Sequence, residues 1–336
     1  MEISVVIAVR NEVNHIKECL QSVLNQDYKK KYEVIVVDGL STDGTYELLE
    51  KLQKKDKFTL LKNHKFNAAA GRNIGIENAK GKYIAFIDGD AIAKKDWLKQ
   101  IEKTFGDKDV IGVGGPDSLP EKSDKISKMI GYVMTSPIAR GGKLNPSTQH
   151  SLMEEEQYVE HIPTCNLSLK REVFDKVGLF DETFVKGQDL ELNHRIINAG
   201  YKLKYSPKIR VIHYRKQRVR DFAKQIYKWA KAKVAIIKKH GFHGLISHIY
   251  LWPAYVLIVF LAAFSFFLFF NLINIFLMLI FLAVAAYVFV ILFESARLAK
   301  KFNEPRLFLY AAFLLPILHV VYKCGIMVAL LKRKIW

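Results

Sequence analysis

The sequence predicts an α/β domain with a mixed, mainly parallel sheet, followed by a basic helix and a C-terminal region of membrane helices. Short apolar runs rich in β-branched residues alternate with segments of helical periodicity through about residue 214. From about residue 248 the sequence is almost continuously apolar, although the chain of 336 residues has a formal net charge of +18. These observations indicate a membrane protein with an anionic partner.

The alternation is clearest in the first 115 residues. Strands are expected at residues 3–9, 33–37, 58–62 and 82–87, with helices at 15–24, 46–53 and 68–80 between them. Thr42 or Asp43 is expected to cap the second helix. Ligands of such sheets bind outside the carboxyl ends of the strands. Because Arg10, Asp38 and Asp88-Gly89-Asp90 all follow strand ends, we expect them at one edge of the sheet.

Two carboxylates separated by one glycine follow the fourth strand. In an extended segment Asp88 and Asp90 would point to the same side, and Gly89 would remove bulk between them. Carboxylates at a strand end are typical ligands of a Mg²⁺ or Mn²⁺ ion that also binds a diphosphate. A solvated turn is the alternative for so short a motif, but the position after a buried strand favours a metal site.

The second part of the domain, about residues 116–214, is less regular. A long polar segment at residues 117–161 is typical of a binding loop or lid. Regular structure returns at residues 164–169. A helix follows at about residues 187–200, and strands are expected at 201–205 and 209–214. A carboxylate at a helix N-terminus is also stabilised by the helix dipole. This stabilisation is the structural alternative to a catalytic role for Asp189.

The C-terminal third predicts attachment to a membrane. Residues 215–247 have the composition of basic amphipathic helices at an anionic lipid interface, the alternative being a surface helix packed on the domain. Residues 249–270 and 272–293 are each long enough to span a bilayer. The basic connector at 294–306 is expected on the cytoplasmic side, as is the catalytic domain. Residues 307–331 are either a third span or a helix that is buried against the domain or re-entrant.

Four motifs resemble those of the family 2 glycosyltransferases and occur in the same order as in that family. They are residues 4–12, residues 36–45, Gly71-Arg72-Asn73 and Asp88-Gly89-Asp90. The resemblance covers about residues 3–214. It implies a GT-A fold, which is a Rossmann-like nucleotide-sugar domain, and an inverting reaction that depends on Mg²⁺ or Mn²⁺. The implied donor is a nucleoside-diphosphate sugar, with UDP or GDP expected. The membrane tail resembles the succinoglycan-type branch, whose members build cell-surface glycans.

The resemblance also implies roles for individual residues. Residues about 1–115 would bind the nucleotide sugar and 116–214 the acceptor. The residues implied for the nucleotide and donor are Ala8, Arg10, Glu12, Asp38, Gly71, Arg72 and Asp88. Asp90 and Asp88 would bind the metal, with His213 as a further candidate ligand. Asp189 matches the second residue of the family's Glu-Asp pair and would be the general base. Gln188 stands where the Glu is usual, which removes a neighbouring negative charge and makes Asp189 a slightly weaker base.

Further residues are candidates for the acceptor side: Thr164, Asn166, Gln188, Gln225, Lys228 and Trp229. The last three resemble the Gln-x-x-Arg-Trp element of processive members, with lysine in place of arginine. The alternative is an accident of composition in a basic helix.

These observations together predict sugar transfer to a lipid-linked acceptor at the cytoplasmic membrane face, in the assembly of cell-surface polysaccharide or glycan. An intact base favours a hydroxyl acceptor, and a polyprenyl phosphate is the alternative. From another class, a non-catalytic membrane scaffold could retain the same fold. The basic residues concentrate beside the apolar tail, so anionic lipid explains them better than nucleic acid.

Overall fold

The computed structural model describes residues 1–106, 109–121, 123–140, 153–214, 218–241 and 252–332. The chain divides into two compact units. The first comprises Met1–Ser123 and Pro146–Arg215, and the second comprises Asp124–Asn145 and Lys216–Trp336. The predicted helices and strands are present in the predicted order, with end points that differ by a few residues, and further short strands and helices lie between them.

An eight-stranded mixed sheet forms the centre of the first unit. Its strands are β1 (Ile3–Val9), β2 (Tyr32–Asp38), β3 (Thr59–Lys62), β4 (Tyr83–Phe86), β6 (Val110–Gly114), β8 (Gln157–Val159), β9 (Leu167–Lys170) and β10 (Lys202–Tyr205). Their spatial order is β3-β2-β1-β4-β9-β6-β10-β8. Strands β1 to β4 are parallel, whereas β9 is antiparallel to both of its neighbours. The predicted mixed, mainly parallel sheet is confirmed.

Successive side chains of each strand point to opposite faces of the sheet, and helices cover both faces. The first unit contains α1 (Ile16–Leu24), α2 (Thr45–Gln53), α3 (Ala68–Asn78), α4 (Trp97–Thr104), α7 (Val173–Val177) and α8 (Gln188–Asn198). In β1, Val5 and Ile7 join the core cluster that contains Leu20 of α1. Val6, between them, joins the opposite cluster with Ile76 of α3 and Leu192 of α8.

A second, small sheet lies beyond the carboxyl end of β4. It contains β5 (Ala91–Ala93), β11 (Val211–His213) and β7 (Asp117–Ser118), with β11 in the middle. The Asp88-Gly89-Asp90 segment connects β4 to β5 and is a turn, in which the main-chain N–H of Ala91 donates to the carbonyl of Asp88 at 3.0 Å. The expectation that this segment is extended was therefore wrong, because the chain reverses to form β5.

The capping of α2 also differs from the prediction. Its N-cap is Gly44, whose φ of 94° lies in the left-handed region. Asp43 nevertheless contributes, because its Oδ1 accepts the main-chain N–H of Thr45 at 3.0 Å. The prediction of Thr42 or Asp43 as the N-cap was therefore wrong, because the left-handed conformation at the start of α2 is taken by Gly44.

The second unit is helical in its described residues. It contains α5 (Lys125–Met134), α6 (Pro137–Arg140), α9 (Val219–His240), α10 (Trp252–Phe269), α11 (Ile273–Lys301) and α12 (Leu307–Leu331). Within the described ranges, α11 and α12 are long and apolar enough to cross a membrane, and Tyr255–Phe269 is a shorter apolar helix. Helix α11 continues to Lys301, so much of the predicted connector at 294–306 is helical.

Helix α9 packs its apolar face on α12. Ile226 of α9 belongs to a buried cluster with Leu314 and Leu318 of α12. A Cβ added to Gly325 would lie 2.7 Å from the Cβ of Ala230, so the two helices cross closely there. The apolar stripe of the basic helix is therefore covered by protein within its own unit. Helix α12 is continuous through Pro316 and also packs on α5 and α11.

Candidate active site

The loops after β1 and β2 are joined at the carboxyl edge of the sheet. Asp38 is fully buried, and its two carboxylate oxygens accept the main-chain N–H (3.0 Å) and the hydroxyl (2.5 Å) of Ser41. The side-chain oxygen of Asn11 accepts the N–H of Thr42 at 2.8 Å. Asn11 and Leu40 both have positive φ values, 57° and 55°. Such strain is typical of binding loops. The buried Asp38 carboxylate fixes the loop after β2 through Ser41.

An exposed aromatic residue lies beside Arg10 at the same edge. The guanidinium carbon of Arg10 lies 4.9 Å from the centre of the Phe66 ring. Phe66 is 55% exposed and has a φ of 54°. No sequence pattern indicated Phe66 as a site residue, because a single aromatic residue in a loop is not part of a periodic pattern.

The remaining residues implied at the donor edge have structural contacts. Ala8 and Gly71 meet where α3 approaches β1, since a Cβ on Gly71 would lie 3.3 Å from that of Ala8. The main-chain N–H of Glu12 donates to Oγ1 of Thr45 at 2.9 Å. These contacts bring the loop after β1 and the start of α3 to one edge.

Asp88, Asp90 and His213 form a group whose ligand atoms lie within 4.8 Å of one another. Nε2 of His213 lies 3.2 Å from Oδ1 of Asp90, and its Nδ1 lies 3.6 Å from Oδ2 of Asp117. Strand β11 brings His213 there, because His213 pairs with Ala91 of β5. The side chains of Asp88 and Asp90 are 32% and 25% exposed, which leaves space for a phosphate or water.

Charge pairing dominates the acid–base chemistry of this group. Burial is the largest single influence and disfavours the imidazolium form, but Asp90, Cys165 and Asp117 together outweigh burial and raise the pKa of His213 well above its usual value. Burial likewise opposes ionisation of Asp90, yet the charge and hydrogen bond of His213, a main-chain hydrogen bond and the charge of His15 together hold the pKa of Asp90 below its usual value. Asp90 is therefore anionic, and a cation bound there would displace the proton of His213, because only a neutral imidazole can be a metal ligand.

A second group of potential ligands overlaps the first and consists of Asp117, Cys165 and His213. Burial raises the pKa of the Cys165 thiol to about 12. A buried protonated thiol is a poor ligand for Mg²⁺ or Mn²⁺, which prefer oxygen. The group of Asp88, Asp90 and His213 therefore fits a hard divalent cation better.

Arg72 connects the metal-binding side to the N-terminus of α8. Its Nη2 donates to Oδ1 of Asp88 at 3.2 Å, and its Nη1 donates to Oε1 of Gln188 at 2.9 Å. The Arg72 side chain is only 11% exposed. Its fork-shaped guanidinium is thus fixed between two elements that are 16 and 116 residues away in the chain.

Asp189 lies at the start of α8, next to Gln188. Its Oδ2 is 3.6 Å from Nε2 of His161, and its Oδ1 accepts the N–H of Leu190 at 2.9 Å. Burial alone would raise the pKa of Asp189, but His161 and the charge of Arg72 outweigh burial and hold that pKa well below its usual value. No sequence pattern indicated His161, because this residue is the last of the irregular segment at residues 117–161.

The acceptor-side candidates occupy different environments. Asn166 is buried, accepts from the indole N–H of Trp97 at 2.8 Å and donates to the carbonyl of Ile209 at 2.8 Å. Thr164 is also buried, in the same short 3-10 turn. In the second unit, Gln225 and Lys228 are exposed on α9, whereas Trp229 packs against the α5, α11 and α12 cluster. Their acceptor roles stay predictions.

Comparison with family models decides the classification. The family model described as glycosyl transferase family 2 matches residues 4–178, a little more than half of the chain. The chain belongs to glycosyltransferase family 2. A second model, glycosyl transferase family 21, matches residues 164–334. The resemblance inferred from the four motifs is confirmed, and the chain is a glycosyltransferase.

Curated relatives cover most of the chain. It is 30% identical over 331 residues, 96% of this chain and 94% of the relative, to the dolichyl N-acetyl-alpha-D-glucosaminyl phosphate 3-beta-D-2,3-diacetamido-2,3-dideoxy-beta-D-glucuronosyltransferase of Methanococcus voltae. It is 24% identical to the succinoglycan biosynthesis protein ExoA of Rhizobium meliloti, over 70% of each chain. The predicted similarity to succinoglycan-type transferases is confirmed.

A solved structure supports the fold. The mannosyltransferase PcManGT from Pyrobaculum calidifontis, in complex with GDP-Man and Mn²⁺, superimposes with a TM-score of 0.59 at 20% sequence identity. The match covers 93% of this chain and 86% of that chain. The GT-A fold is therefore confirmed, with apolar C-terminal helices after it.

Proposed function

We propose that this glycosyltransferase is an inverting, metal-dependent enzyme that transfers a sugar from a nucleoside-diphosphate sugar to a lipid-linked acceptor. The observation that carries the proposal is the position of Arg72. One guanidinium contacts Asp88 of the cation-binding group and Gln188 beside the candidate base Asp189. In a single displacement the donor diphosphate and the acceptor hydroxyl react at one carbon, so the groups that bind them must lie close together, as the contacts of Arg72 require.

The donor side follows from the sheet edge. Arg10 would contact the nucleoside, and Asp38 would hold the loop that lines the nucleoside pocket. Arg72 would donate hydrogen bonds to diphosphate oxygens, which its planar fork suits. Asp88, Asp90 and His213 would hold Mg²⁺ or Mn²⁺, which supplies charge neutralisation at the leaving diphosphate. Electrostatic stabilisation of that leaving group is expected to be the largest contribution to the rate.

The acceptor side follows from Asp189. Its carboxylate would accept the proton of the acceptor hydroxyl while the acceptor oxygen forms a bond to the anomeric carbon. The bond from that carbon to the phosphate oxygen breaks, and its electron pair leaves with the nucleoside diphosphate. One attack from the face opposite the leaving group inverts the anomeric configuration.

The acceptor is proposed to be a hydroxyl of a lipid-linked sugar. The Methanococcus voltae relative is named for a dolichyl N-acetylglucosaminyl phosphate and for a transfer at a sugar 3-position. A sugar hydroxyl must lose a proton, so it needs a base such as Asp189, whereas a phosphate acceptor is already ionised. A polyprenyl phosphate is the second candidate.

The enzyme is proposed to work at the cytoplasmic face of the cell membrane and to be a multi-pass protein. Helices α11 and α12 have the length and composition of membrane spans, and α10 is apolar. Several large apolar side chains of α10 and α11 are exposed, among them Phe269 and Phe281. The basic residues of α9 and of the end of α11 support contact with anionic lipid head groups.

A donor-hydrolysis screen tests the proposal. Purified protein in detergent would be incubated with UDP-, GDP- and dTDP-sugars in the presence of Mn²⁺, Mg²⁺ or a chelator. Hydrolysis of one nucleotide class that depends on the cation supports the proposal, and Asp90→Asn should lose that dependence. Absence of both binding and turnover with every donor would instead favour the non-catalytic scaffold.

A further inference from the structure

Asp117 is a buried carboxylate beside the cation-binding group, and the proposed reaction gives it no part. The residue is 5% exposed. Its Oδ2 lies 3.6 Å from Nδ1 of His213, while the other ring nitrogen, Nε2, lies 3.2 Å from Oδ1 of Asp90. His213 therefore has a carboxylate at each of its two ring nitrogens.

The small sheet produces this arrangement. Strand β11 lies between β5 and β7. On one side His213 pairs with Ala91, which directly follows Asp90. On the other side Val211 pairs with Asp117, the first residue of β7. The central strand thus carries the histidine, and its two neighbours bring one carboxylate each.

The main chain beside Asp117 is held in place by a buried amide. Nδ2 of Asn166 donates to the carbonyl of Pro116 at 3.2 Å and to that of Ile209 at 2.8 Å. The main-chain N–H of Val211 donates to the same Pro116 carbonyl at 3.2 Å. These hydrogen bonds connect the start of β7 to the segment that leads into β11, so Asp117 is fixed relative to the histidine.

The chemistry of a metal-binding histidine gives Asp117 a function. A neutral imidazole that binds a cation through Nε2 keeps its single proton on Nδ1. In metal sites that N–H usually donates to a carboxylate or a carbonyl, which fixes the tautomer and the orientation of the ring. Nδ1 of His213 is buried, and a shortening of its contact with Asp117 by about 0.5 Å would give a hydrogen bond. The nearby thiol of Cys165 is a weak acceptor by comparison.

We propose that Asp117 is a positioning residue that accepts a hydrogen bond from Nδ1 of His213 and holds Nε2 toward the cation-binding carboxylates. The inference rests on the proposed function, because it assumes that Asp88, Asp90 and His213 bind a divalent cation. Asp117 acts through the histidine and not on the cation itself. A purely structural role would lower stability without depending on His213.

The test is a comparison of two neutral variants with and without the histidine. The Mn²⁺ affinity of the purified chain in detergent would be measured from the paramagnetic resonance of free Mn²⁺ for Asp117→Asn and Asp117→Leu. Each variant would be made in wild type and in His213→Ala. Both substitutions remove the same charge and nearly keep the volume, but only asparagine keeps an oxygen that can accept from Nδ1. Their difference therefore reports the hydrogen bond. Cys165→Ala, in the same buried region, is the control, and thermal unfolding would be recorded for every variant.

Asp117→Leu should bind Mn²⁺ roughly tenfold more weakly than Asp117→Asn. In His213→Ala the two should agree within about twofold, because the residue through which Asp117 acts is gone. Cys165→Ala should stay within about threefold of wild type.

Three results would overturn the inference and leave the proposed function intact. They are equal affinity of the two Asp117 variants, a difference that persists in His213→Ala, and a tenfold loss in Cys165→Ala, which would make the thiol the partner of His213. Absence of Mn²⁺ binding in wild type would overturn the proposed metal dependence as well. If Asp117→Leu does not fold, Asp117→Ala, which also lacks an acceptor, takes its place and the same results decide.

Discussion

Nε2 of His161 lies 3.6 Å from Oδ2 of Asp189, so a histidine from the irregular segment faces the candidate general base. The two residues come from different parts of the chain, and Asp189 begins α8. The contact with His161 and the charge of Arg72 together outweigh burial and depress the pKa of Asp189. The base is therefore ionised well below neutral pH.

Removal of His161 should change the pH dependence of the reaction. His161→Ala removes a contact that lowers the pKa of Asp189, so this pKa should rise. Because the base is active when ionised, the acid limb of kcat/KM should move to higher pH. Donor hydrolysis measured between pH 4 and 8 should therefore show no acid limb in wild type and a limb at the acid end of this range in His161→Ala. His194→Ala removes an imidazole from α8 itself and should, like wild type, show no limb in this range. Absence of a limb in His161→Ala would contradict the effect of His161 on Asp189.

Asp189→Asn should separate chemistry from donor binding. The amide cannot accept the acceptor proton, so transfer to the true acceptor should fall by about 10²–10⁴-fold. The Kd of the nucleoside diphosphate should stay within a few-fold, because Arg72 and the cation-binding group remain. Single-turnover kinetics and calorimetry would measure the two effects. The control is Asp109→Asn, since the Asp109 side chain is 75% exposed. Nearly full turnover by Asp189→Asn would refute the assigned role.

Loss of His213 should weaken cation binding. Its Nε2 converges with the carboxylates of Asp88 and Asp90, and an alanine leaves two protein ligands. We expect the Mn²⁺ affinity of His213→Ala to fall about tenfold or more, as measured from the paramagnetic resonance of free Mn²⁺. His194→Ala, which removes a histidine that contacts Asn198 on α8, is the comparison variant. Equal Mn²⁺ affinity in wild type and His213→Ala would exclude this histidine as a ligand.

Gly115→Ala should destabilise the first unit. A Cβ there would lie 2.1 Å from the main-chain oxygen of Ile209 and 2.4 Å from that of Ser206. Main-chain atoms cannot rotate away, so we expect a loss of about 1–3 kcal/mol in the free energy of unfolding. Chemical denaturation would measure it. Gly106→Ala, which meets nothing within 4 Å, should be close to neutral. Equal stability of the two variants would show that the segment at 206–209 adjusts freely.

Gly325→Leu should separate α9 from α12. The added side chain would collide with Ala230 and with the main-chain oxygen of Tyr227, 2.7 and 2.9 Å from the position of its Cβ. Tryptic cleavage within the lysine-rich α9 should then become several-fold faster in detergent. Val320→Leu adds volume to an exposed position of α12 and should leave the rate unchanged. Identical cleavage of both variants would contradict the close helix crossing.

The sequence was sufficient for the fold because local patterns encode it. Alternating apolar runs predicted the parallel strands, and strand ends predicted where Arg10, Asp38 and Asp88 would lie. The continuously apolar tail predicted the helices that could span a membrane. These features depend on neighbours within a few residues, which periodicity detects.

The details of the site depend on contacts between distant residues. Gln188 and Asn67 are 121 positions apart, and no local pattern connects them. His161 lies in a segment without periodicity, so its place beside Asp189 had no sequence signal. The segment at residues 124–140 was expected in the catalytic domain, yet its described helices pack within the second unit. Ser136 there donates to Glu294 of α11 at 2.5 Å.

The most direct test of the central claim is transfer of label from a nucleotide sugar to extractable lipid. Membranes containing wild type, Asp90→Asn or Asp189→Asn would be supplied with the radiolabelled donor identified by the hydrolysis screen. We expect label to appear in the lipid fraction with wild type when the cation is present, and most of this label to be lost with both variants. Transfer that persists in a chelator, or that survives in both variants, would contradict the proposed function.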